Sequence, residues 1–88
     1  MISDLDSLRS ELDELNQRIS QLLQQRFQKA SEVALLKKSQ GQELYDPLRE
    51  KEMLDQLLQD IEESNLRKAL QTCFEEIFKQ SLSYMNKK

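Results

Sequence analysis

Four cationic side chains lie in line with the apolar stripes of this sequence, and they are the residues best placed to do chemistry. They are Arg9, Arg26, Lys37 and Arg49. A buried cation without a partner is costly, and the acidic residues that we expect beside the set are Asp46 and Glu50. An anion is therefore predicted to complete the site. Guanidinium groups bind carboxylates with two hydrogen bonds and lysine offers a compact point charge, so a small dianion is the favoured ligand.

The alternative for each cation taken singly is snorkelling, in which a long stem lies on apolar surface and the charged head reaches water. Four cations that converge at helix ends favour the anion pocket instead. Ser81 is a further polar residue within an apolar stripe, because it follows Ile77 by four positions. We therefore include Ser81 among the candidate binding residues.

The composition excludes several other kinds of site. The 88 residues contain no His, which removes imidazole bases and Ser-His or Cys-His nucleophile pairs. Cys73 is the single cysteine, so neither a disulfide framework nor a zinc knuckle can form, and we expect Cys73 in the core. The net charge of −3 gives no basic footprint for nucleic acid. No apolar run reaches the roughly 20 residues of a membrane span, and we see no signal peptide, so we expect a cytoplasmic protein.

The elements that must position these residues are three helices in one domain, residues 1–88. Apolar residues at spacings of three and four predict helix 1 over about 4–39, helix 2 over about 47–62 and helix 3 over about 65–85. The N-cap of helix 1 is predicted at Ser3, with Asp6 as its capping-box partner.

The ends of the helices carry local signals. Gly41 suits the C-terminal stop of helix 1. Helix 2 should begin with Asp46 as N-cap and Pro47 at the first helical position. Either Ser64 or Asn65 is predicted to cap helix 3. These signals indicate an all-α fold.

The length of helix 1 bears on the assembly. About 36 residues span about 54 Å, whereas a compact domain of this size has a radius of gyration of about 12 Å. The apolar stripe of helix 1 must therefore overhang the domain, and a second copy of helix 1 is the simplest cover, which predicts a two-fold homodimer. The alternative is a helix bent back as a hairpin near Arg18, where neither Gly nor Pro supports a break.

Three stretches together resemble the all-helical (AroQ-type) chorismate mutases. Residues 8–16 read L-R-S-E-L-D-E-L-N, similar to that family's L-R-x-x-I-D-x-I-D opening. Residues 37–50 read K-K-S-Q-G-Q-E-L-Y-D-P-L-R-E, like the family's loop and the start of its second helix. Residues 74–81 read F-E-E-I-F-K-Q-S, similar to F-x-x-I-x-x-x-S. Each stretch is weak alone, but the ordered set covers nearly the whole chain.

The resemblance implies an intertwined homodimer with two equivalent pockets that converts chorismate to prephenate by a Claisen rearrangement, in the biosynthesis of phenylalanine and tyrosine. It implies no cofactor and no metal, and small members of the family can dock onto another enzyme of the pathway. Arg26 and Arg9 would bind the two substrate carboxylates, with Arg9 supplied by the other protomer, and Lys37 would donate to the ether oxygen. Three further residues have implied roles: Glu50 and the Asp46 backbone hold the ring hydroxyl, and Arg49 adds positive potential. Ser81 would assist at a carboxylate.

One position departs from the family pattern. Four residues after Ser81 the family usually has Gln or Glu, which donates a second hydrogen bond to the ether oxygen, whereas this chain has Met85, whose thioether donates nothing. A frayed helix end that brings in Asn86 is one way to replace the donor. Three interpretations follow: a slow chorismate mutase, a related pocket for isochorismate or an amino-substituted chorismate, or a non-catalytic helical dimerisation module that either keeps the pocket as a ligand sensor or keeps none.

Overall fold

The computed structural model describes residues 4–87 and contains three helices over that range, with no strand there. They are α1 (Asp4–Ser39), α2 (Pro47–Leu58) and α3 (Ser64–Asn86). The all-α prediction with a very long first helix is confirmed. Ser3, the predicted N-cap of α1, lies outside the described residues.

The first helix runs without interruption through Arg18, so the hairpin alternative is wrong. The chain measures 59 × 28 × 16 Å and its radius of gyration is 16.6 Å. A compact domain of this length would have a radius of about 12 Å. The difference arises because α1 extends well beyond the part of the chain that α2 and α3 cover.

A Schellman motif ends α1. The Gln42 N–H donates to the Lys37 carbonyl at 2.8 Å, and the Gly41 N–H donates to the Lys38 carbonyl at 3.2 Å. Gly41 has φ 68°, a left-handed conformation that glycine adopts without a Cβ penalty. This motif fixes the direction in which the chain leaves α1, whose last residue, Ser39, lies two positions after Lys37.

The second helix begins as predicted and ends earlier. The Asp46 side chain accepts a hydrogen bond from the Arg49 N–H at 3.1 Å, with Pro47 in the first turn. The helix ends at Leu58, four residues before the predicted end near residue 62. The Ile61 N–H then donates to the Leu58 carbonyl in a turn, which leads the chain toward α3.

The N-cap of α3 is Glu63, so the prediction of Ser64 or Asn65 is wrong. The Glu63 carboxylate accepts from the N–H groups of Asn65 at 2.9 Å and Leu66 at 2.6 Å. Two free backbone donors at a helix start are satisfied by one charged acceptor, which also interacts favourably with the helix dipole. Glu63 therefore does the capping that was predicted for Ser64 or Asn65.

The core is thin and lies where α3 packs against both other helices. Its most buried residues are Ala34, Leu58, Phe78, Ser81 and Met85. The rings of Phe27 and Tyr84 pack with their centroids 5.4 Å apart, joining α1 to α3. The core thus centres on the C-terminal half of α1 and the C-terminal half of α3.

The N-terminal half of α1 is uncovered in the single chain. Its apolar side chains are between 48% and 63% exposed. These residues are Leu5, Leu8, Leu12, Leu15, Ile19 and Leu22. They form one continuous face, because their spacing follows the helical repeat.

Cys73 is exposed in the chain, so the prediction of a core cysteine is wrong. The face of α3 that turns inward follows Leu70, Phe74 and Phe78 at four-residue steps. Cys73 precedes Phe74 by one position and therefore points about 100° away from that face.

Candidate active site

A cavity of about 350 Å³ lies between the three helices and the loop that joins α1 to α2. Its lining residues come from all of these elements: Arg26, Lys29, Ala30, Val33, Lys37, Leu44, Asp46, Arg49, Glu50, Met53, Phe78, Ser81, Leu82 and Met85. Four cations and two carboxylates line the cavity, an excess of two positive charges in a chain of net charge −3. The cavity can therefore attract a small anion although the protein as a whole is acidic.

Arg26 lies at the centre of the polar side of the cavity. Its Nη1 donates a hydrogen bond to Ser81 Oγ at 2.5 Å, and its Cζ lies 5.3 Å from the centroid of the Phe78 ring. Burial lowers the pKa of Arg26 from its ordinary value, and the negative charge of Glu50 partly offsets the decrease. A bound carboxylate would further relieve the cost of burying this charge.

Lys37 reaches the cavity from the last turn of α1. Its Nζ donates to the Leu44 carbonyl at 3.4 Å and lies 3.8 Å from Asp46 Oδ2. The side chain is 20% exposed. An ammonium group has three donors, so these two neighbours leave one N–H for a ligand in the cavity.

The start of α2 contributes three polar residues. Asp46 uses Oδ1 to cap α2 and Oδ2 to approach Lys37. Glu50 is half-buried and lines the cavity. Arg49 lines its edge with a side chain that is 56% exposed, and its Nη1 lies 4.0 Å from Glu52 Oε2. Arg49 thus adds charge at the rim, whereas Glu50 faces the interior.

The sequence from residue 8 to residue 86 matches the family model described as chorismate mutase type II. The chain belongs to this family. The resemblance stated from the three sequence stretches is confirmed.

Two solved structures of chorismate mutase from Thermus thermophilus are similar to this chain. Form I has 34% sequence identity and a TM-score of 0.83, and the match covers 90% of this chain and 99% of that chain. Form II has 33% identity and a TM-score of 0.89, and the match covers 96% of each chain. No curated protein sequence matched the chain.

Met85 occupies the cavity wall at the position where the chorismate mutase resemblance predicts Gln or Glu. The residue is 7% exposed and lines the cavity together with Ser81, one turn earlier on α3. Asn86 follows it at the end of α3 and is exposed. Asn86 is not among the residues that line the cavity, and Met85 makes the wall apolar at this point.

Arg9 does not join the other predicted site residues within one chain. It is exposed on the overhanging part of α1, seventeen positions before Arg26, which corresponds to about 25 Å along a helix. The other seven predicted residues all line the cavity. In the chorismate mutase type II fold of this single chain, the cavity thus lacks one of its expected cations.

Seven residues that line the cavity are not among the predicted site residues: Lys29, Ala30, Val33, Leu44, Met53, Phe78 and Leu82. The loop residue Leu44 also contributes its carbonyl, which accepts a hydrogen bond from Lys37. Lys29 pairs with Glu32 at 3.3 Å and its side chain is 80% exposed at the mouth of the cavity. A signal for Phe78 exists in the sequence, because it precedes Ser81 by three positions and so shares its helix face.

Metal binding finds no support among residues 4–87, since no cluster of three or more Cys, Asp or Glu side chains there could hold an ion. Within the same range, none of the three helices has the length and apolar character needed to cross a bilayer.

Proposed function

We propose that the protein catalyses the rearrangement of chorismate to prephenate, in the biosynthesis of aromatic amino acids. The observation that carries this proposal is the cavity in which Arg26, Lys37 and Glu50 converge, in a chain that belongs to the chorismate mutase type II family. Chorismate is a small dianion with an ether oxygen and a ring hydroxyl. The cavity offers cations for the two carboxylates and the ether oxygen, and it offers a carboxylate for the ring hydroxyl.

Arg26 and Ser81 together would bind one substrate carboxylate. Ser81 Oγ accepts a hydrogen bond from Arg26, so its own hydroxyl proton remains to be donated to the ligand. Lys37 is the proposed donor to the ether oxygen, and Glu50 with the Asp46 backbone would hold the ring hydroxyl. Arg49 at the rim raises the positive potential that the substrate meets.

The reaction suits this set of residues because it is a unimolecular pericyclic step. One C–O bond breaks and one C–C bond forms, and no nucleophile, general base or cofactor takes part. Catalysis consists of holding the compact conformer of the substrate and stabilising the negative charge that develops on the ether oxygen. A cavity in which Arg26 and Lys37 are held by neighbouring residues can perform both tasks.

We also propose that the protein is a two-fold homodimer in which Arg9 of each protomer completes the cavity of the other. The support is twofold. The apolar face of α1 from Leu5 to Leu22 is exposed in the single chain, and Arg9 lies about 25 Å along α1 from Arg26. An isologous contact between two copies of α1 would cover this face and would carry Arg9 to the second cavity.

A mixing experiment tests the role of Arg9. Arg9→Ala and Arg26→Ala are each expected to be nearly inactive alone. Co-refolded together, they form a heterodimer in which one cavity has both arginines and the other has neither, so activity should return. If Arg9 acted within its own chain, both cavities of the heterodimer would lack one arginine and no activity would return. A monomeric mass by light scattering at micromolar concentration would contradict the dimer itself.

A cytoplasmic location is part of the same proposal. The supporting observation is that the exposed Cys73 is the only cysteine, and such free thiols are usual where the compartment keeps them reduced.

The deciding experiment for the function is chorismate consumption followed in the ultraviolet, with the product identified by chromatography. Prephenate formed well above the uncatalysed rate is the expected result. Consumption of isochorismate or an amino-substituted chorismate in its place would favour the related-pocket interpretation, to which the apolar wall at Met85 lends some support. Binding of a dicarboxylate transition-state analogue without any turnover would favour a ligand-sensing dimer.

A further inference from the structure

We propose that Phe78 is a positioning residue that holds the Arg26 guanidinium in its binding orientation through the face of its ring. This inference rests on the proposed function for the identity of the ligand. The orientation of Arg26 itself can be measured without any ligand, so the two proposals can fail separately.

The geometry gives Arg26 two fixed neighbours on α3. Cζ lies 5.3 Å from the Phe78 ring centroid, within the range of a cation–π interaction. Nη1 donates to Ser81 Oγ at 2.5 Å. Phe78 and Ser81 are three positions apart, so they lie one above the other on a single helix face. A planar group with a ring on one side and an acceptor at one edge has little freedom to rotate.

The ring is itself buried and packed against another ring. Phe78 is 4% exposed, and its centroid lies 6.2 Å from that of Phe74 in a tilted arrangement. Arg26 is half-buried and has Glu50 as its electrostatic neighbour. Glu50 lies on α2, whereas Phe78 lies on α3. The charge of Arg26 is therefore balanced from one helix and its plane is set from another.

An aliphatic residue at this position would fill the same space but would not attract a guanidinium. An aromatic ring has negative potential on its face, so it compensates part of the hydration that Arg26 loses on burial. Pre-orienting a flexible side chain also reduces the entropy that the ligand must offset on binding. We therefore expect Phe78 to influence ligand affinity through Arg26, in addition to its role in packing.

Fluorination of the ring separates these two roles, because it weakens the negative face while nearly preserving shape. Phe78 is replaced by 4-fluoro-, 3,5-difluoro- and 3,4,5-trifluorophenylalanine, and the same series is made at Phe74. Phe74 is the matched control, since it packs on Phe78 but does not line the cavity. Calorimetry with a dicarboxylate transition-state analogue gives Kd, and the ultraviolet assay gives KM and kcat separately.

The expected result is a graded weakening at Phe78, reaching about fivefold in Kd and KM for the trifluoro ring, with kcat nearly constant. The series at Phe74 should stay within about twofold. Equal effects at both positions would mean that only packing is involved, and a flat series at Phe78 would overturn the proposal.

Nuclear magnetic resonance of protein with ¹⁵N-labelled arginine gives a second measurement that needs no ligand. Rotation of the Arg26 guanidinium about Cζ–Nε should be slow in the parent protein and faster with trifluorophenylalanine at position 78. Unchanged rotation would count against the proposal even if the parent protein bound no dicarboxylate. If the parent protein bound no dicarboxylate, the proposed function would fail, but the rotation rates would still show whether Phe78 positions Arg26.

Discussion

The ammonium nitrogen of Lys37 lies 3.8 Å from the Asp46 carboxylate, across the loop that joins α1 to α2. The same nitrogen donates to the Leu44 carbonyl within that loop. Asp46 meanwhile caps α2 through its other oxygen. The residue that caps α2 thus also contacts Lys37 in the last turn of α1, and the loop conformation and the cavity are linked through these two side chains.

Replacement of Lys37 by Met should remove most of the activity while the fold persists. The change deletes the proposed donor to the ether oxygen, and loss of one such donor typically costs on the order of 10²–10³ in rate. The comparison variant is Lys38→Met, which removes the same charge from an exposed neighbour. Steady-state kinetics on both variants measure the effect. A loss of similar size in Lys38→Met would argue against a special role for Lys37.

Arg26→Ala should abolish binding of a dicarboxylate transition-state analogue, because Arg26 is half-buried, lines the cavity and is held there by Ser81. Burial lowers the pKa of Arg26, which means that the charged guanidinium is less stable in the folded protein than in the unfolded chain. This destabilisation is present in full at any pH below the folded-state pKa, and it disappears only when the pH exceeds the unfolded-state pKa. Arginine keeps its proton throughout the neutral range. The contribution of Arg26 to ligand affinity should therefore be flat from about pH 6 to about pH 9.

Calorimetry on Arg26→Ala tests this prediction, and the control variant is Arg67→Ala, near the N-terminal end of α3. Arg67 is exposed and does not line the cavity. Unchanged affinity in Arg26→Ala would mean that the guanidinium only snorkels.

Met85→Gln should raise kcat by a factor on the order of 10², because it adds a hydrogen-bond donor to an otherwise apolar part of the cavity wall. Asn86→Gln, one position later and exposed, serves as the control and should leave kcat unchanged. The ultraviolet assay measures both variants. No gain in Met85→Gln would mean that the end of α3 does not face the ether oxygen, or that the reaction already has the donors it needs.

Gly41→Ala should lower the free energy of unfolding by about 1–2 kcal/mol, because an L-residue at φ 68° is strained even though there is open space around the added Cβ. Gly41→Asn should cost less, since asparagine tolerates the left-handed region. Urea denaturation followed by circular dichroism provides the comparison. Equal stability of the Ala variant and the parent would show that the loop can adopt another conformation after α1.

Lys29→Gln should lower kcat/KM about two- to fivefold and leave kcat unchanged, because the side chain is exposed at the mouth of the cavity and can steer an anion without touching the reacting atoms. The difference between variant and parent should shrink as salt is added, since exposed charges are screened. Lys68→Gln makes the same change of charge away from the cavity. A salt-independent loss in Lys29→Gln would point to direct contact with the substrate instead.

Local signals in the sequence predicted the parts of the fold that local chemistry decides. The spacing of apolar residues, the left-handed Gly41 and the Asp46-Pro47 start each act within a few residues. The end of α2 was misplaced because the apolar pattern continues to Ile61, whereas the chain must turn earlier for α3 to pack. Cys73 was misplaced for a related reason, since the face of α3 that turns inward depends on its partner helices.

The site was predictable where a polar residue interrupts an apolar stripe. Arg26, Lys37 and Ser81 are of this kind, and all three line the cavity. Phe78 shares a helix face with Ser81, but this spacing alone does not separate it from an ordinary core residue, because its partner Arg26 lies on a different helix. Lys29 could not be distinguished from a solvated surface charge, because its place at the mouth of the cavity depends on where the other helices pack. Both assignments require knowledge of how α1 and α3 pair.

The hydrogen bond between Arg26 and Ser81 joins residues that are 55 positions apart in the chain. Because Met85, also on the wall, lies in the last turn of α3, the residues that line the cavity extend from Arg26 to the end of the third helix. Such distant contacts form late in folding, after the cost of closing a long loop has been met. During synthesis, α1 can form before the cavity does, so a nascent or trimmed chain that lacks the end of α3 would expose the apolar face of α1 and have an incomplete binding site.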